Sequence, residues 1–354
     1  MEYSVSCAPL IAKNFIKYER LSSMTNTAFT GSEETSMSIF IDLNSILLPL
    51  YSNQYDPTKD QSDFEIASVI LNMIAHYRSF YWRFYKVETN FYLIYSTNCG
   101  AANKMYYPEY NCKNAAKMVS KSFIHKRIVD NLIVIEKICS YLNNVCYFSS
   151  SYDTSAMIAY IIENDSKDFV NIILTKDMAT TQLVSYCKYY KKFIVAFRPK
   201  KYRGEDMSFF ITPTNLYAYL FNEYKVQWDQ TKVTDPSLYT FILAASKCPE
   251  RSYKSVMSLS AIMSEFSLTA SYGSYIADAN MIIHSLSEKT SMNLLRANVE
   301  GRYKALDAIY QAGLLKNSPE RINYKGMVNL YDPNGLHAIA EEYFKKTPLN
   351  LENM

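Results

Sequence analysis

Glycine is scarce in this chain, with eight residues in 354, about a third of the usual share of roughly 7%. None lies between Gly204 and Gly273, so that stretch lacks the residue that most readily takes positive φ or lets a backbone approach a phosphate. The seven cysteines (Cys7, Cys99, Cys112, Cys139, Cys146, Cys187 and Cys248) are scattered, odd in number and without CxxC spacing. That pattern argues against a disulfide framework and against a zinc site. No run of about 18 uncharged apolar residues occurs, and Glu2 and Lys13 bracket a mixed N-terminal stretch without a signal-peptide pattern. The chain therefore reads as soluble and intracellular, with no membrane role. His76, His125, His284 and His337 are dispersed and give a histidine-based triad little support. Net charge is only +3, so no global basic field announces nucleic acid, and any such surface must be local.

Apolar material is plentiful: 49% of the residues are hydrophobic, enough for a sizeable core. At 354 residues the chain exceeds the usual single domain; one α/β domain of roughly 200 residues with a helical appendix is the expectation. The 32 tyrosines, with many Asn, Lys and Ile, suggest an AT-rich genome such as that of a virus or phage. The host cytoplasm would then be the location.

Two apolar stretches far apart each stop on an aspartate, Ser38-Ile39-Phe40-Ile41-Asp42 and Asn171-Ile172-Ile173-Leu174-Thr175-Lys176-Asp177. Both read as buried parallel strands that deliver a carboxylate to one sheet edge. In an open α/β sheet the crevice beyond the carboxyl ends of the strands is where ligands bind. Strands are expected over 37–42, 89–95, 145–148, 170–175 and 192–197, and helices over 64–85, 117–142, 155–164 and 180–189. Their alternation implies right-handed βαβ units and a mostly parallel sheet flanked by helices. Residues 1–36 read as a polar N-terminal arm, 37–204 as the α/β domain and 205–354 as an all-helical C-terminal domain, with helices expected over 213–224, 236–245, 256–265, 277–287, 291–312 and 336–344.

Four segments in order carry a resemblance. Ile39-Phe40-Ile41-Asp42 with Asn44-Ser45 looks like a first strand ending on a metal-ligand aspartate. Tyr106-Tyr107-Pro108-Glu109-Tyr110 through Asn114 resembles a "Tyr-Pro-x-Tyr-Lys-x-x-Arg" arch segment. Asp153-Thr154-Ser155-Ala156-Met157-Ile158-Ala159 resembles "Glu-Ala-Asp-Asp-x-Ile-Ala", and Thr175-Lys176-Asp177-Met178-Ala179-Thr180-Thr181-Gln182-Leu183 resembles "Thr-Gly-Asp-x-Asp-x-x-Gln-Leu". Together they resemble the flap endonuclease-like 5′ nucleases of the PIN-like superfamily over about residues 37–184. The resemblance implies a PIN/5′-nuclease-like α/β fold and a Mg or Mn site at Asp42, Asp153 and Asp177. It also implies DNA or RNA contact through local basic residues Lys104, Lys113, Lys117 and Lys121.

The acidic set departs from that family, whose members hold two metal ions on seven or so carboxylates to activate water and stabilise the leaving oxygen. Ser96, Ser155, Ala156 and Ala179 stand at other acidic positions, and none can offer an anionic oxygen. Over Leu243 to Ser252, where the family has "Leu-x-Gly-Asp-x-x-Asp-Asn", only Glu250 is acidic. The glycine-poor stretch also lacks what a helix-hairpin DNA clamp requires. Asp42 and Asp153 read equally as helix caps, and Lys117, Lys121, Lys126 and Arg127 equally as a solvated helix face. The leading expectation is a catalytically degenerate 5′-nuclease-like protein serving as a nucleic-acid or protein interaction scaffold in viral replication, transcription or particle assembly. An active Mg- or Mn-dependent 5′ nuclease with a reduced carboxylate site and a purely structural viral protein are the alternatives.

Overall fold

A computed structural model describes residues 36–47, 64–97, 142, 144–150, 152–186, 190–202, 205–212 and 236–245, with single positions at 108, 132–133, 135–136, 139, 216, 301–302 and 304. Strand β1 (Ser36–Asp42) leads through a helical turn at 43–47 towards helix α1 (Phe64–Tyr85) and strand β2 (Glu88–Ser96). Strand β3 (Val145–Ser150), helix α2 (Thr154–Asn164) and strand β4 (Val170–Leu174) follow. A one-turn helix α3 (Met178–Thr181) runs into a 3-10 turn (Gln182–Tyr186), then come β5 (Phe193–Tyr202), β6 (Glu205–Ile211) and helix α4 (Pro236–Ala245).

The six strands form one sheet in the order β3-β2-β1-β4-β5-β6. All pairings are parallel except β5 with β6. Ile39, Phe40, Ile41, Leu93, Ile172, Ile173 and Ile194 are buried, as expected of parallel strands that pack helices on both faces and so read as continuous apolar runs. Helix α1 buries Ile70, Ile74, Tyr77 and Tyr81, a spacing of three and four residues that aligns one stripe. Phe40, Tyr92 and Phe148 stack across β1, β2 and β3, with ring centroids 4.8 and 6.1 Å apart.

At the amino edge of the sheet the shortage of glycine has a visible effect. Lys86, Asn144 and Lys191 take φ of 57°, 57° and 53°, each one or two residues before β2, β3 or β5. These helix-to-strand turns need the left-handed region, and non-glycine residues occupy it at a cost of about 1 kcal/mol each. The same edge is built around Asp168. Its carboxylate accepts hydrogen bonds from the Ser36 hydroxyl at 2.5 Å, the Ser38 hydroxyl at 2.5 Å and the Asn90 amide at 2.9 Å. The Lys192 ammonium donates to the carbonyls of Ser166 and Asp168 at 2.9 and 3.1 Å.

Two expectations need correction. Glu205–Ile211 is the antiparallel sixth strand of the sheet, so a boundary at residue 204 cuts a hairpin in which Tyr202 pairs with Glu205. Edge pairing with β5 supplies hydrogen bonds that a lone periodicity reading does not register. The helix expected over 180–189 is instead the single turn of α3 followed by the 3-10 turn. There Asp177 caps the helix, which starts at Met178, two residues earlier than expected. Helix α4 falls where expected, and most of the N-terminal arm, of the other expected C-terminal helices and of the helix expected over 117–142 lies outside the described residues. Among the described residues no helix is long and apolar enough to cross a membrane.

Candidate functional site at the carboxyl edge of the sheet

The connection from β1 goes to β2 on one side, and the chain later crosses to β4 on the other side of β1. The carboxyl ends of β1 and β4 therefore flank the point where winding reverses, the position at which open α/β sheets hold ligands. Asp42 ends β1 and Asp177 lies three residues beyond β4.

Asp42 is only 2% exposed. Its Oδ1 accepts from the Ser45 amide at 3.2 Å and its Oδ2 from the Thr175 hydroxyl at 2.7 Å. The Thr175 hydroxyl in turn accepts from the Asp177 amide at 3.0 Å, so one oxygen links the two aspartates. The Ser45 hydroxyl donates to the Asp42 carbonyl and accepts from the Lys176 amide, both at 3.1 Å, which ties the turn after β1 to the turn after β4. Burial, and then the charge of Asp177, push the Asp42 carboxyl up from 3.8 to about 6, against the pull of the Thr175 and Ser45 hydrogen bonds. The two carboxylates repel each other in a poorly solvated place.

Asp177 caps α3, its carboxylate accepting from the Ala179 amide at 2.8 Å. Asp153 caps α2 in the same way, accepting from the Ser155 amide at 2.8 Å. Asn44 joins this edge together: it exchanges hydrogen bonds with the Ser96 backbone at 3.0 and 2.7 Å and accepts from the Thr154 hydroxyl at 2.8 Å. The cap of α2 is thereby held two residues from Asp42. Where α2 meets α3, the Ser155 and Thr180 hydroxyls bond directly at 2.6 Å, both fully buried. From the other side the Thr181 hydroxyl makes a short hydrogen bond with the Tyr239 hydroxyl of α4, and Thr240 donates to the Gln182 side chain at 2.9 Å.

All three sequence-predicted aspartates thus belong to the carboxyl edge, and each also serves as an acceptor for nearby backbone amides. Electrostatic contact joins Asp42 with Asp177. Among the described residues no group of three or more His, Cys, Asp or Glu side chains is placed to hold a metal ion. Asp153 therefore does not complete a three-carboxylate cluster with the other two. Among the described residues, the two carboxylates in electrostatic contact at this edge are those of Asp42 and Asp177. Ser96, Ser155, Ala156 and Ala179 are all buried at this edge. Lys104, Lys113, Lys117, Lys121 and Glu250 lie outside the described residues.

Asn44, Thr175 and Thr180 are structural partners that sequence reasoning did not single out. Their advance signal is membership of the two resembling segments, Asn44 two residues after Asp42, and Thr175 and Thr180 on either side of Asp177.

No protein-family model and no curated protein matches the sequence. Solved structures do match. The D15 protein of T5, co-crystallised with metal ions, superposes with a TM-score of 0.51 at 11% identity, covering 78% of this chain and 90% of that one. The bacteriophage T5 flap endonuclease, in a pseudo-enzyme–product complex with DNA and metal ions, gives 0.50 at 10% identity with the same coverage. With the parallel sheet and the aspartates at its reversal point, the comparison leads to one conclusion: the chain has the PIN-like fold of the 5′ nucleases.

Proposed function

We propose that this protein is a catalytically degenerate 5′ nuclease that keeps the fold as an interaction scaffold for nucleic acid, with viral replication, transcription or particle assembly as its setting. The observation that carries this reading is the Ser155–Thr180 hydroxyl pair. Ser155 stands where the resembled family has a metal-binding carboxylate. Here two neutral hydroxyls close the gap between α2 and α3 by direct contact, and no anionic oxygen is offered there. Two divalent ions in a catalytic pair sit about 3.5–4 Å apart, and their mutual repulsion requires more negative charge than Asp42 and Asp177 carry. The DNA-bound complex of the T5 structure supports nucleic acid as the partner class. Lys104, Lys113, Lys117 and Lys121 are the basic residues proposed to meet phosphates.

The test is incubation with 5′-flap and single-stranded DNA in Mg²⁺ or Mn²⁺, alongside a salt titration of binding. Binding without turnover, weakening steeply with salt and weakened further in Lys113→Glu combined with Lys117→Glu, is the expected result. Multiple-turnover cleavage abolished by Asp42→Ala and Asp177→Ala would overturn it.

A second reading, an enzyme with a reduced one-cation site, is favoured by the repulsion between Asp42 and Asp177. A divalent cation would relieve that repulsion, and the reduced site proposed for it comprises Asp42, Asp153 and Asp177. The same cleavage assay decides between the two.

A further inference from the structure

We propose that Tyr152 is the stacking platform for an unpaired base at the carboxyl edge, an inference that rests on the nucleic-acid reading above. Most described tyrosines are interior: Tyr77, Tyr81, Tyr95, Tyr147 and Tyr239 are all buried. Tyr152 is 39% exposed, although Asp153 beside it is 2% exposed. Among the described residues the other exposed large apolar side chains lie elsewhere. Trp82 sits in the last turn of α1 with the Lys86 ammonium 5.6 Å from its ring, and Phe169 directly precedes β4, both towards the amino edge. Ile133 precedes β3 and is aliphatic.

Ordered elements stand on either side of Tyr152. Before it, β3 pairs with β2 to the last residue, Ser150 opposite Ser96. After it, Asp153 caps α2 and Thr154 is bonded to Asn44. A half-exposed ring between two such elements offers contact area at little conformational cost, because tyrosine has only two side-chain torsions to order.

The electrostatics of the edge favour a base over a phosphate at this spot. Asp42 and Asp177 repel phosphate oxygens, while an aromatic face accepts any base irrespective of sequence. A strand meeting this edge would therefore turn a base towards Tyr152. No base identity is read, since stacking alone is indifferent to the hydrogen-bonding edge.

The experiment compares the full-length wild type, Tyr152→Ala and Tyr152→Phe for binding to oligo(dT) and to an abasic phosphodeoxyribose strand of equal length at low salt. Wild type and Tyr152→Phe should prefer oligo(dT), and Tyr152→Ala should lose about tenfold in affinity for oligo(dT). Affinity for the abasic strand should be the same in all three proteins. Equal binding of oligo(dT) by wild type and Tyr152→Ala, or an equal loss on both strands, overturns the stacking role while leaving the nucleic-acid reading intact. Failure of the wild type to bind either strand overturns both. Tyr152→Phe keeps the ring and shows whether any loss in Tyr152→Ala comes from the fold.

Discussion

The two edges of one sheet use aspartate in opposite ways. At the amino edge the Asp168 carboxylate receives three neutral donors, from Ser36, Ser38 and Asn90, and ties the starts of β1 and β2 to the turn before β4. At the carboxyl edge Asp42 receives two donors and faces a second carboxylate, so its charge is opposed. The first arrangement lowers the energy of the fold. The second carries a destabilising repulsion that packing alone does not require.

Asp168→Ala separates the edges most sharply. It leaves two hydroxyls and an amide without their acceptor, and hydrogen bonds to a charged group contribute about 1.5–3 kcal/mol each before relaxation. A loss of about 3 kcal/mol in urea unfolding is expected. A loss below about 1 kcal/mol would mean that the network is incidental.

Asp42→Asn tests the other edge through pH. The folded-state value of about 6 lies above the unfolded 3.8, so the folded protein holds this proton more tightly. The stability this contributes is complete below 3.8 and disappears as pH rises through about 6, a change of up to about 3 kcal/mol. The stability of Asp42→Asn relative to wild type should therefore climb between pH 4 and pH 7. A difference that is flat with pH, measured by urea unfolding at each pH, would show that Asp42 is not under strain from burial and Asp177.

A smaller effect addresses the single cation. Millimolar Mn²⁺ at tenfold its dissociation constant should raise wild-type stability by about 1.4 kcal/mol, seen as a higher Tm at pH 7.5, with no change for Asp42→Asn. Equal shifts in both proteins would place any bound ion elsewhere.

The smallest effect belongs to the left-handed turns of the amino edge. Lys191→Gly and Asn144→Gly should each stabilise by about 0.5 kcal/mol, the relief of positive φ being partly offset by the freer unfolded chain. Destabilisation in thermal melts would show that the side chains there contribute more than the backbone loses.

Much of the fold was legible because buried parallel strands leave unbroken apolar runs. Ile39 to Ile41 and Ile172 to Leu174 could hardly be anything else, and the aspartates that follow them mark the carboxyl edge. Helix α1 declared itself by apolar residues at helical spacing, of which Ile70, Ile74, Tyr77 and Tyr81 are buried. β6 was missed because Glu205-Asp206-Met207-Ser208 opens on polar residues after a basic segment; its stabilisation comes from β5, a partner that local pattern cannot supply. The local hint was Gly204, within the two residues that separate paired Tyr202 and Glu205. At the site, the aspartates could be placed at one edge from strand ends alone. Which of them meet depends on hydroxyls such as Thr175 and Thr180, whose partners are distant in sequence. Asp168 had no signal at all, since a lone acidic residue in a turn resembles any solvated one until Ser36, Ser38 and Asn90 are folded around it.

The bond between Thr181 and Tyr239 has a further consequence. Tyr239 and Thr240 are wholly interior, and their polar atoms meet α3 and the 3-10 turn. Detaching α4 would strand buried hydroxyl and amide groups on both surfaces at once. Residues 236–245 are accordingly part of the same cooperative unit as β4 and Asp177, and their slowest amide protons should exchange with solvent only when that unit opens.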